Sequence, residues 1–315
     1  MRIVFIGTGD IGLPVLRWLL DTDAHELVGV VTQPDKPVGR EQRIQASPIK
    51  AAVQGLGIPV LQPERIKRIE ASNEIQLLAP EVIVVMAYGQ ILPRAVLEIP
   101  NVACLNLHAS LLPRHRGAAP IQAAIAAGDR ETGVTVMYMD EGLDTGDIML
   151  QSAIPITADE TGGRLHDRLA EIAPAALERA LTLFTAGTAP RIAQDSAQAT
   201  YAPKLERAHG LIDWSVAAGD IERKLRAFDP WPGAFTVLRD PAGRERKLKI
   251  FRGAASEGGP AAVPGSLFIH NDGIAIAASS RTALLLREVQ LEGKKRMPAA
   301  ELQRGNAWIV NARVA

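Results

Sequence analysis

The chain has 315 residues, enough for two domains, and with 47% hydrophobic and 22% charged residues it has the composition of a globular protein rather than a disordered one. No apolar run reaches the roughly 18 residues of a membrane span, Ile3-Val4-Phe5-Ile6-Gly7 runs into glycines and does not read as a signal peptide, and one cysteine, Cys104, leaves neither an internal disulfide nor a Cys-based metal site, so a cytoplasmic protein is expected. The net charge of zero divides into 17 Lys+Arg against 23 Asp+Glu in residues 1–200 and 18 against 12 in residues 201–315, a basic C-terminal part that suits a polyanionic partner or is only an uneven solvated face.

The first half alternates apolar strands with helical patterns. Residues 2–6 read as a strand, 13–20 as a helix and 27–31 as a second strand. Residues 33–47 form a loop rich in Pro, Gly, Arg and Gln, followed by a helix over 48–56 and a short strand over 59–61. The continuous apolar run Val82-Ile83-Val84-Val85-Met86 is the pattern of a strand buried on both faces. Further strands are expected over 103–107 and 134–139, with a helix over 120–127 stopped by Gly128. This alternation predicts an α/β, Rossmann-like domain with a mostly parallel sheet over residues 1–200, its last part from 186 to 201 a linker. Residues 201–315 have a different texture: one amphipathic helix within 213–228, then short strands over 235–238, 247–251, 265–269, 273–277 and 283–289, with a surface loop at 253–264. That pattern predicts a small β-barrel. The cluster Phe228-Asp229-Pro230-Trp231-Pro232 reads as packing between elements, with base stacking the other option, and Trp308 reads as core.

Gly7-Thr8-Gly9-Asp10-Ile11-Gly12 fits the G-x-G-x-x-G pattern between a strand and a helix, where glycines bring a dinucleotide phosphate to the helix N-terminus. An acid should then end the second strand to hold a ribose hydroxyl. The chain has Val30-Val31-Thr32-Gln33 there, with Asp35 further on between prolines. Turn glycines and a nicotinamide-dependent oxidoreductase both remain open on this motif.

Two stretches carry chemistry. In the strand over 103–107, alternation puts Asn106 and His108 on one face at the C-terminal end, where open α/β sheets place their ligands. Met139-Asp140-Glu141-Gly142-Leu143-Asp144-Thr145-Gly146-Asp147 follows another strand and gathers four acids. Its spacing is not that of an EF-hand. A carboxylate beside an Asn-x-His pair fits general acid–base work.

On these residues the sequence resembles the formyltransferases that use 10-formyltetrahydrofolate. The resemblance rests on Asn106 and His108, Ser110-Leu111-Leu112-Pro113 directly after them, and Asp144 in Leu143-Asp144-Thr145-Gly146. It is supported by Thr32-Gln33-Pro34-Asp35-Lys36-Pro37, Gly39-Arg40, Ala87-Tyr88-Gly89, residues 111–120 and residues 228–232. The glycine-rich start departs from the family's Gly-Thr-x-x-Phe pattern. The resemblance implies Asn106, His108 and Asp144 as the catalytic residues, and a folate donor bound by Ser110, Leu111, Leu112, Pro113, Met86, Ala87, Tyr88, Tyr138 and Asp140, with no metal. It also implies an OB-like C-terminal barrel, and it is strongest to members whose acceptor is the methionine amino group on initiator methionyl-tRNA. Lys36, Arg40 and Arg43 in the inserted loop are then tRNA contacts, with Lys204, Arg223, Lys224, Arg246, Lys247, Lys249, Lys294, Lys295 and Arg296 as candidates on the barrel. A monomer is expected. Other acceptors, a ribonucleotide amine or a nucleotide-linked amino sugar, share the catalytic trio but give the basic loop no purpose.

Overall fold

The computed structural model describes residues 1–315 except 40, 241, 259–261, 271, 272, 307, 310, 311, 313 and 315, and only the backbone of residue 38. In chain order the elements are β1 (Arg2–Gly7), α1 (Leu13–Asp21), β2 (Glu26–Val31), β3 (Lys36–Val38), β4 (Arg43–Gln45), α2 (Pro48–Val53), β5 (Val60–Leu61), α3 (Ile69–Leu77), β6 (Val82–Met86), α4 (Arg94–Leu97), β7 (Ala103–His108), β8 (Arg116–Gly117), α5 (Pro120–Ala127), β9 (Glu131–Tyr138), β10 (Ile148–Pro155), α6 (Gly162–Thr185), β11 (Tyr201–Ala202), α7 (Ala218–Ala227), β12 (Ala234–Arg239), β13 (Glu245–Ser256), β14 (Leu267–His270), β15 (Gly273–Ala277), β16 (Ala283–Leu291), β17 (Met297–Pro298) and α8 (Ala299–Gly305). They form two compact units. The first holds Met1–Pro120, Glu131–Pro155 and His166–Pro203; the second holds Ile121–Arg130, Ile156–Leu165 and Lys204–Ala315.

The first unit is built on a seven-stranded sheet in the order β10-β9-β7-β6-β1-β2-β5. The pairs β7–β6, β6–β1, β1–β2 and β2–β5 are parallel, and β9 and β10 add an antiparallel edge. Every residue of β6 is buried, as its unbroken apolar run requires for a central strand. Val4, Ile6, Val31, Ile75, Ile83, Val85 and Val96 form the core on one face. Helix α2 begins where Ser47 accepts a hydrogen bond from the Lys50 N–H at 3.1 Å and Pro48 supplies a preset first turn.

In the second unit, β12, β13, β16, β15 and β14 pair antiparallel in that order, and β17 pairs with β16. Val314 bridges to Leu238 of β12 and donates its N–H to the Gly265 carbonyl, just ahead of β14, at 3.1 Å. One residue of the C-terminal tail therefore links the two outer strands, a route from an open sheet towards a barrel that leaves fewer unpaired edge groups. Ile221 and Leu225 of α7 lie in the same core as Leu248, Ile276, Leu284 and Leu302, and Trp308 packs partly buried against it. The Trp214 indole donates to Thr236 Oγ1 at 3.1 Å inside this core.

Several elements differ from the sequence expectation. The loop at 33–47 contains a hairpin, β3 with β4, whose ladder pairs Lys36 with Gln45 and Val38 with Arg43. Strand β13 runs through Ser256, so the expected surface loop at 253–264 begins later, and residues 259–261 of it lie outside the described residues. The stretch expected as a linker is partly ordered by pairing: β11 runs parallel to β8, and Ile192 bridges to Ile148. Helices α3 and α6 and strand β10 have no counterpart in the sequence expectation. Trp231 is 49% exposed, so the aromatic–proline cluster is only partly packing, through the buried Phe228.

Asp240 ends β12 and organises its turn. Its carboxylate accepts from the N–H groups of Ala242 and Arg244, both at 2.9 Å, and from Arg244 Nε at 3.0 Å. The Arg244 N–H, above all, holds this carboxyl below its ordinary value of 3.8 despite its burial. Lowering in the folded state means that the contribution to stability is present above pH 3.8 and is lost as the pH falls through the folded value. Urea unfolding of Asp240→Asn should show a destabilised protein at neutral pH, with the gap to the parent narrowing below pH 3.8; a gap that stays constant would refute this role.

Candidate active site

Strand β7 ends at His108, and side-chain alternation sends Asn106 and His108 to one face. The turn after β9 brings Asp144 to them, with φ at +53°, a left-handed conformation that a non-glycine residue holds only when its surroundings enforce it. Asp144 Oδ1 accepts from Asn106 Nδ2 at 3.3 Å. Its Oδ2 accepts from the Gly117 N–H at 2.8 Å and lies 3.6 Å from His108 Nδ1. The His108 Nε2 donates to the His115 carbonyl at 2.9 Å, since a carbonyl only accepts. His108 is buried, Asp144 nearly so, and Asn106 is the partly exposed member of the trio. An amide nitrogen has two N–H groups, so Asn106 keeps one beyond its bond to Asp144.

The loop after β7 is anchored by groups far away in sequence. Thr135 Oγ1, fully buried on β9, donates to the Ser110 carbonyl at 2.6 Å and accepts from the Leu112 N–H at 3.1 Å and Gln151 Nε2 at 3.1 Å. The Gln151 amide also donates to the Leu112 carbonyl at 2.9 Å, and the Leu112–Pro113 peptide is cis. Gly117, at φ +114°, approaches so closely that an added Cβ would lie 2.6 Å from the Ala202 carbonyl. That approach is what lets β11 lie beside β8 and turns the Gly117 N–H to Asp144.

The expected donor-binding residues fall into different places. Leu111 is half-buried and borders the trio's loop, while Leu112 is buried with Met137 and Ile148. Ser110 is buried, its hydroxyl donating to the Arg114 carbonyl at 2.6 Å. Met86 is buried. The Ala87 carbonyl accepts from the Thr8 and Gly9 N–H groups, each at 3.2 Å, and the Tyr88 carbonyl accepts from Thr8 Oγ1 and Gln33 Nε2. The Tyr88 ring is in the core; burial pushes its hydroxyl up to about 12, and this oxygen has no hydrogen-bond partner among the described residues. Tyr138 lies opposite Leu105 in the β7–β9 ladder, so its ring is on the other face from Asn106, edge-on to Phe184 and under the Arg191 guanidinium at 3.6 Å. Asp140 accepts from the Gly142 N–H at 3.0 Å and the Thr145 hydroxyl at 2.8 Å, which shapes the turn that carries Asp144.

The glycine-rich start has a packing explanation. A Cβ on Gly7 would lie 2.7 Å from the Phe5 ring and one on Gly12 3.0 Å from it. The Thr8 and Gly9 amides that a phosphate would need are spent on Ala87, and Asp10 at the head of the following turn faces His166 Nε2 at 3.2 Å. Asp35, the displaced acid, is bound to Lys50 at 2.7 Å and to Gln62 at 2.7 Å, which lowers its pKa. These contacts account for the glycines and for Asp35 without a dinucleotide.

Of the expected cations in the first unit, Lys36 donates to Gln33 Oε1, Arg43 is exposed and pairs with Glu41 at 2.8 Å, and Arg40 lies outside the described residues. In the second unit Lys204, Lys249, Lys294 and Lys295 are exposed. Lys247 and Lys249 border a cleft of about 240 Å³ with Gln290 and Glu292. Arg223 pairs with Asp220 and donates to the Ala126 carbonyl at 3.3 Å, Lys224 donates to the Leu211 carbonyl at 2.7 Å, Arg246 donates to the Glu292 carbonyl at 3.0 Å, and Arg296 pairs with Glu288 at 2.6 Å. Among the described residues no group of His, Cys, Asp and Glu is placed to hold a metal, and no helix is long and apolar enough to cross a membrane.

A family model described as formyl transferase matches residues 1–181, and one described as formyl transferase, C-terminal domain, matches residues 204–307. A methionyl-tRNA formyltransferase of Marinobacter nauticus is 47% identical over 311 residues, 98% of either chain. One of Akkermansia muciniphila is 48% identical over 310 residues, 97% of either chain. The solved N-formyltransferase of Helicobacter canadensis, in complex with folinic acid and dTDP-3-aminofucose, is similar in fold at a TM-score of 0.64 with 17% identity, over 91% of this chain and 98% of that one.

The Thr135 anchor generates a test. Thr135→Val keeps the side-chain volume but strips the Ser110–Leu112 loop of a donor and an acceptor. Chemical unfolding should register a loss on the order of 1–3 kcal/mol, the cost of buried polar groups left unpaired. A loss below about 0.5 kcal/mol, within the range of an ordinary surface change, would mean that the loop is held by other contacts.

Proposed function

The chain belongs to the formyl transferase family, and from that premise we propose that it transfers the formyl group of 10-formyltetrahydrofolate to the amino group of methionine on initiator methionyl-tRNA, in the cytoplasm, for translation initiation. The reading is supported by relatives 47–48% identical along nearly the whole chain, and the observation that carries the chemistry is the Asp144 carboxylate between Asn106 and His108 at the sheet's C-terminal edge. Substrates fit the donor set: the trio offers one unspent amide N–H, one carboxylate and one imidazole, and the half-buried Leu111 in the loop after β7 offers apolar surface. The remaining donor contacts fall to backbone groups around Ser110, Pro113, Met86 and Ala87, since the Ser110 and Met86 side chains are themselves buried.

The reaction is acyl transfer to a neutral amine, and negative charge develops on the formyl oxygen as the new C–N bond forms. A donor held ready for that oxygen lowers the barrier because it needs no reorganisation. Asn106 fills that role through its second N–H, its orientation held by Asp144 Oδ1. His108 is held at Nε2 by the His115 carbonyl and faces Asp144 with Nδ1 at 3.6 Å, and when both nitrogens carry protons it is a cation beside the developing charge, balanced by Asp144. The attacking amine must lose a proton as the bond forms, and Asp144 is the base at hand, directly or through water; the tetrahedral intermediate then collapses with cleavage of the bond between the formyl carbon and N10 of the folate, which leaves carrying that proton. The acceptor is a polyanion. We assign its phosphates to Lys36, Arg40 and Arg43 in the first unit and to the exposed lysines of the second, Lys204, Lys249, Lys294 and Lys295, with Lys247 beside them.

Formyl transfer can be followed by mass spectrometry with methionyl-tRNA, glycinamide ribonucleotide and a nucleotide-linked amino sugar offered separately. Mass gain on the tRNA-borne methionine alone is expected, and gain on a small amine instead would discard the tRNA assignment. Asn106→Ala should lower kcat by on the order of 10²–10³, the usual effect of losing one oxyanion donor. A loss under about tenfold would remove Asn106 from that role. Acceptor affinity should weaken steeply between about 50 and 200 mM salt, as contacts to phosphates require, and an affinity indifferent to salt would refute the phosphate contacts.

A further inference from the structure

The left-handed Asp144 turn is clamped by a residue that the trio does not include. Gln194 Nε2 donates to the Asp144 carbonyl at 2.9 Å and to the Gly146 carbonyl at 2.8 Å. Gln194 Oε1 accepts from Arg116 Nε at 3.1 Å and Nη2 at 2.8 Å. Arg116 is 3% exposed, and among the described residues no carboxylate pairs with it. A buried guanidinium held only by a neutral amide oxygen is costly, so the arrangement has to be sought in what the amide's other end does. That end holds the backbone on both sides of Thr145, and Arg116 is followed directly by Gly117, whose N–H makes the shortest contact to the Asp144 carboxylate, at 2.8 Å.

We propose that Gln194 is a positioning residue: it fixes the Asp144 backbone with its two donated bonds while its oxygen fixes Arg116 and hence the Gly117 N–H, so that one side chain sets the carboxylate from both sides. The segment that carries Gln194 is itself tied down, by the Ile192–Ile148 bridge before it and by the Arg116 N–H donating to the Thr200 carbonyl at 2.8 Å after it. The role rests on the reading of Asp144 as part of the formyl-transfer site.

Two substitutions separate its ends. Gln194→Leu removes donor and acceptor. Gln194→Glu keeps an oxygen for Arg116, now as an ion pair, and replaces the donors to the Asp144 and Gly146 carbonyls with a second oxygen that repels them. Both variants should lose kcat by on the order of 10–100-fold with KM for methionyl-tRNA unchanged, the scale expected of small misplacements of a reacting group. Amide hydrogen exchange should quicken at Gly117 in Gln194→Leu, a readout that needs no activity. The parent enzyme and Asp144→Asn are assayed alongside. A Gln194→Glu enzyme with the parent's kcat would overturn the proposal by placing the residue's role at Arg116 alone. So would a loss confined to KM, or Gly117 exchange unchanged in Gln194→Leu. A parent enzyme that transfers no formyl group to any acceptor, or an Asp144→Asn enzyme with full activity, would instead remove the reading on which the proposal rests.

Discussion

The site depends on holding one aspartate in a backbone conformation that aspartate does not choose. Asp144 at φ +53° stores strain, and the strain is tolerated because the turn is over-determined. Asp140 closes it from within through the Gly142 N–H and the Thr145 hydroxyl. Gln194 closes it from outside through two carbonyls. Asn106 and Gly117 then fix the carboxylate itself. With the carboxylate fixed, the orientation of the Asn106 amide and the placement of His108 follow, because both are aligned on it.

The sheet explains why these parts meet. In a parallel array the C-terminal ends of the strands lie together, and the chain must leave each one through a loop on that edge. β7 delivers Asn106 and His108 there. β9 runs antiparallel to β7, yet Met137 sits beside Asn106 and Tyr138 beside Leu105, so the turn that leaves β9 passes close to the β7 side chains. The glycine-rich turn after β1 sits on the same edge, but its amides are consumed by Ala87. A pattern associated with phosphate binding serves here to pack a loop against Phe5 and Met86.

What was legible in the sequence was whatever a short window contains. The apolar run of β6, the alternation in β7 and the strand textures of the second unit are local patterns, and they gave the fold class. Asn106 and His108 are two residues apart, and Asp144 stands in a turn-rich acidic stretch, so each attracted attention by itself. Gln194, Thr135, Gln151 and Thr200 did not. Each is an ordinary polar residue whose partner is 16 to 85 positions away, and nothing in its neighbourhood marks it. Tyr138, which the resemblance implies as a donor contact beside the acidic turn, carries its ring on the face of the sheet opposite Asn106. The stretch expected as a linker, 186 to 201, has no hydrophobic period because its order comes from pairing with β8 and from the Ile192 bridge, not from a core of its own.

Charge in the second unit was visible only as a sum, and the structure divides it. Arg223, Arg246 and Arg296 are engaged with carbonyls or carboxylates of their own unit, as the fork geometry of a guanidinium favours. Lysine is a mobile point charge, and Lys204, Lys249, Lys294 and Lys295 are exposed, alongside exposed arginines such as Arg207, Arg281, Arg287 and Arg304. Lys247 marks where this matters: burial first, then the neighbouring charges of Lys249 and Arg207, pull its pKa down, and its ammonium lies 3.4 Å from the centroid of the Phe235 ring. Cations gathered at mutual cost, with Glu292 beside Lys247, are stabilised by an anion that approaches from solvent. On the proposed reading that anion is the tRNA backbone, and the excess charge that the sequence spreads over 115 residues includes Lys247 and Lys249 on β13 and Lys294 and Lys295 in the turn between β16 and β17.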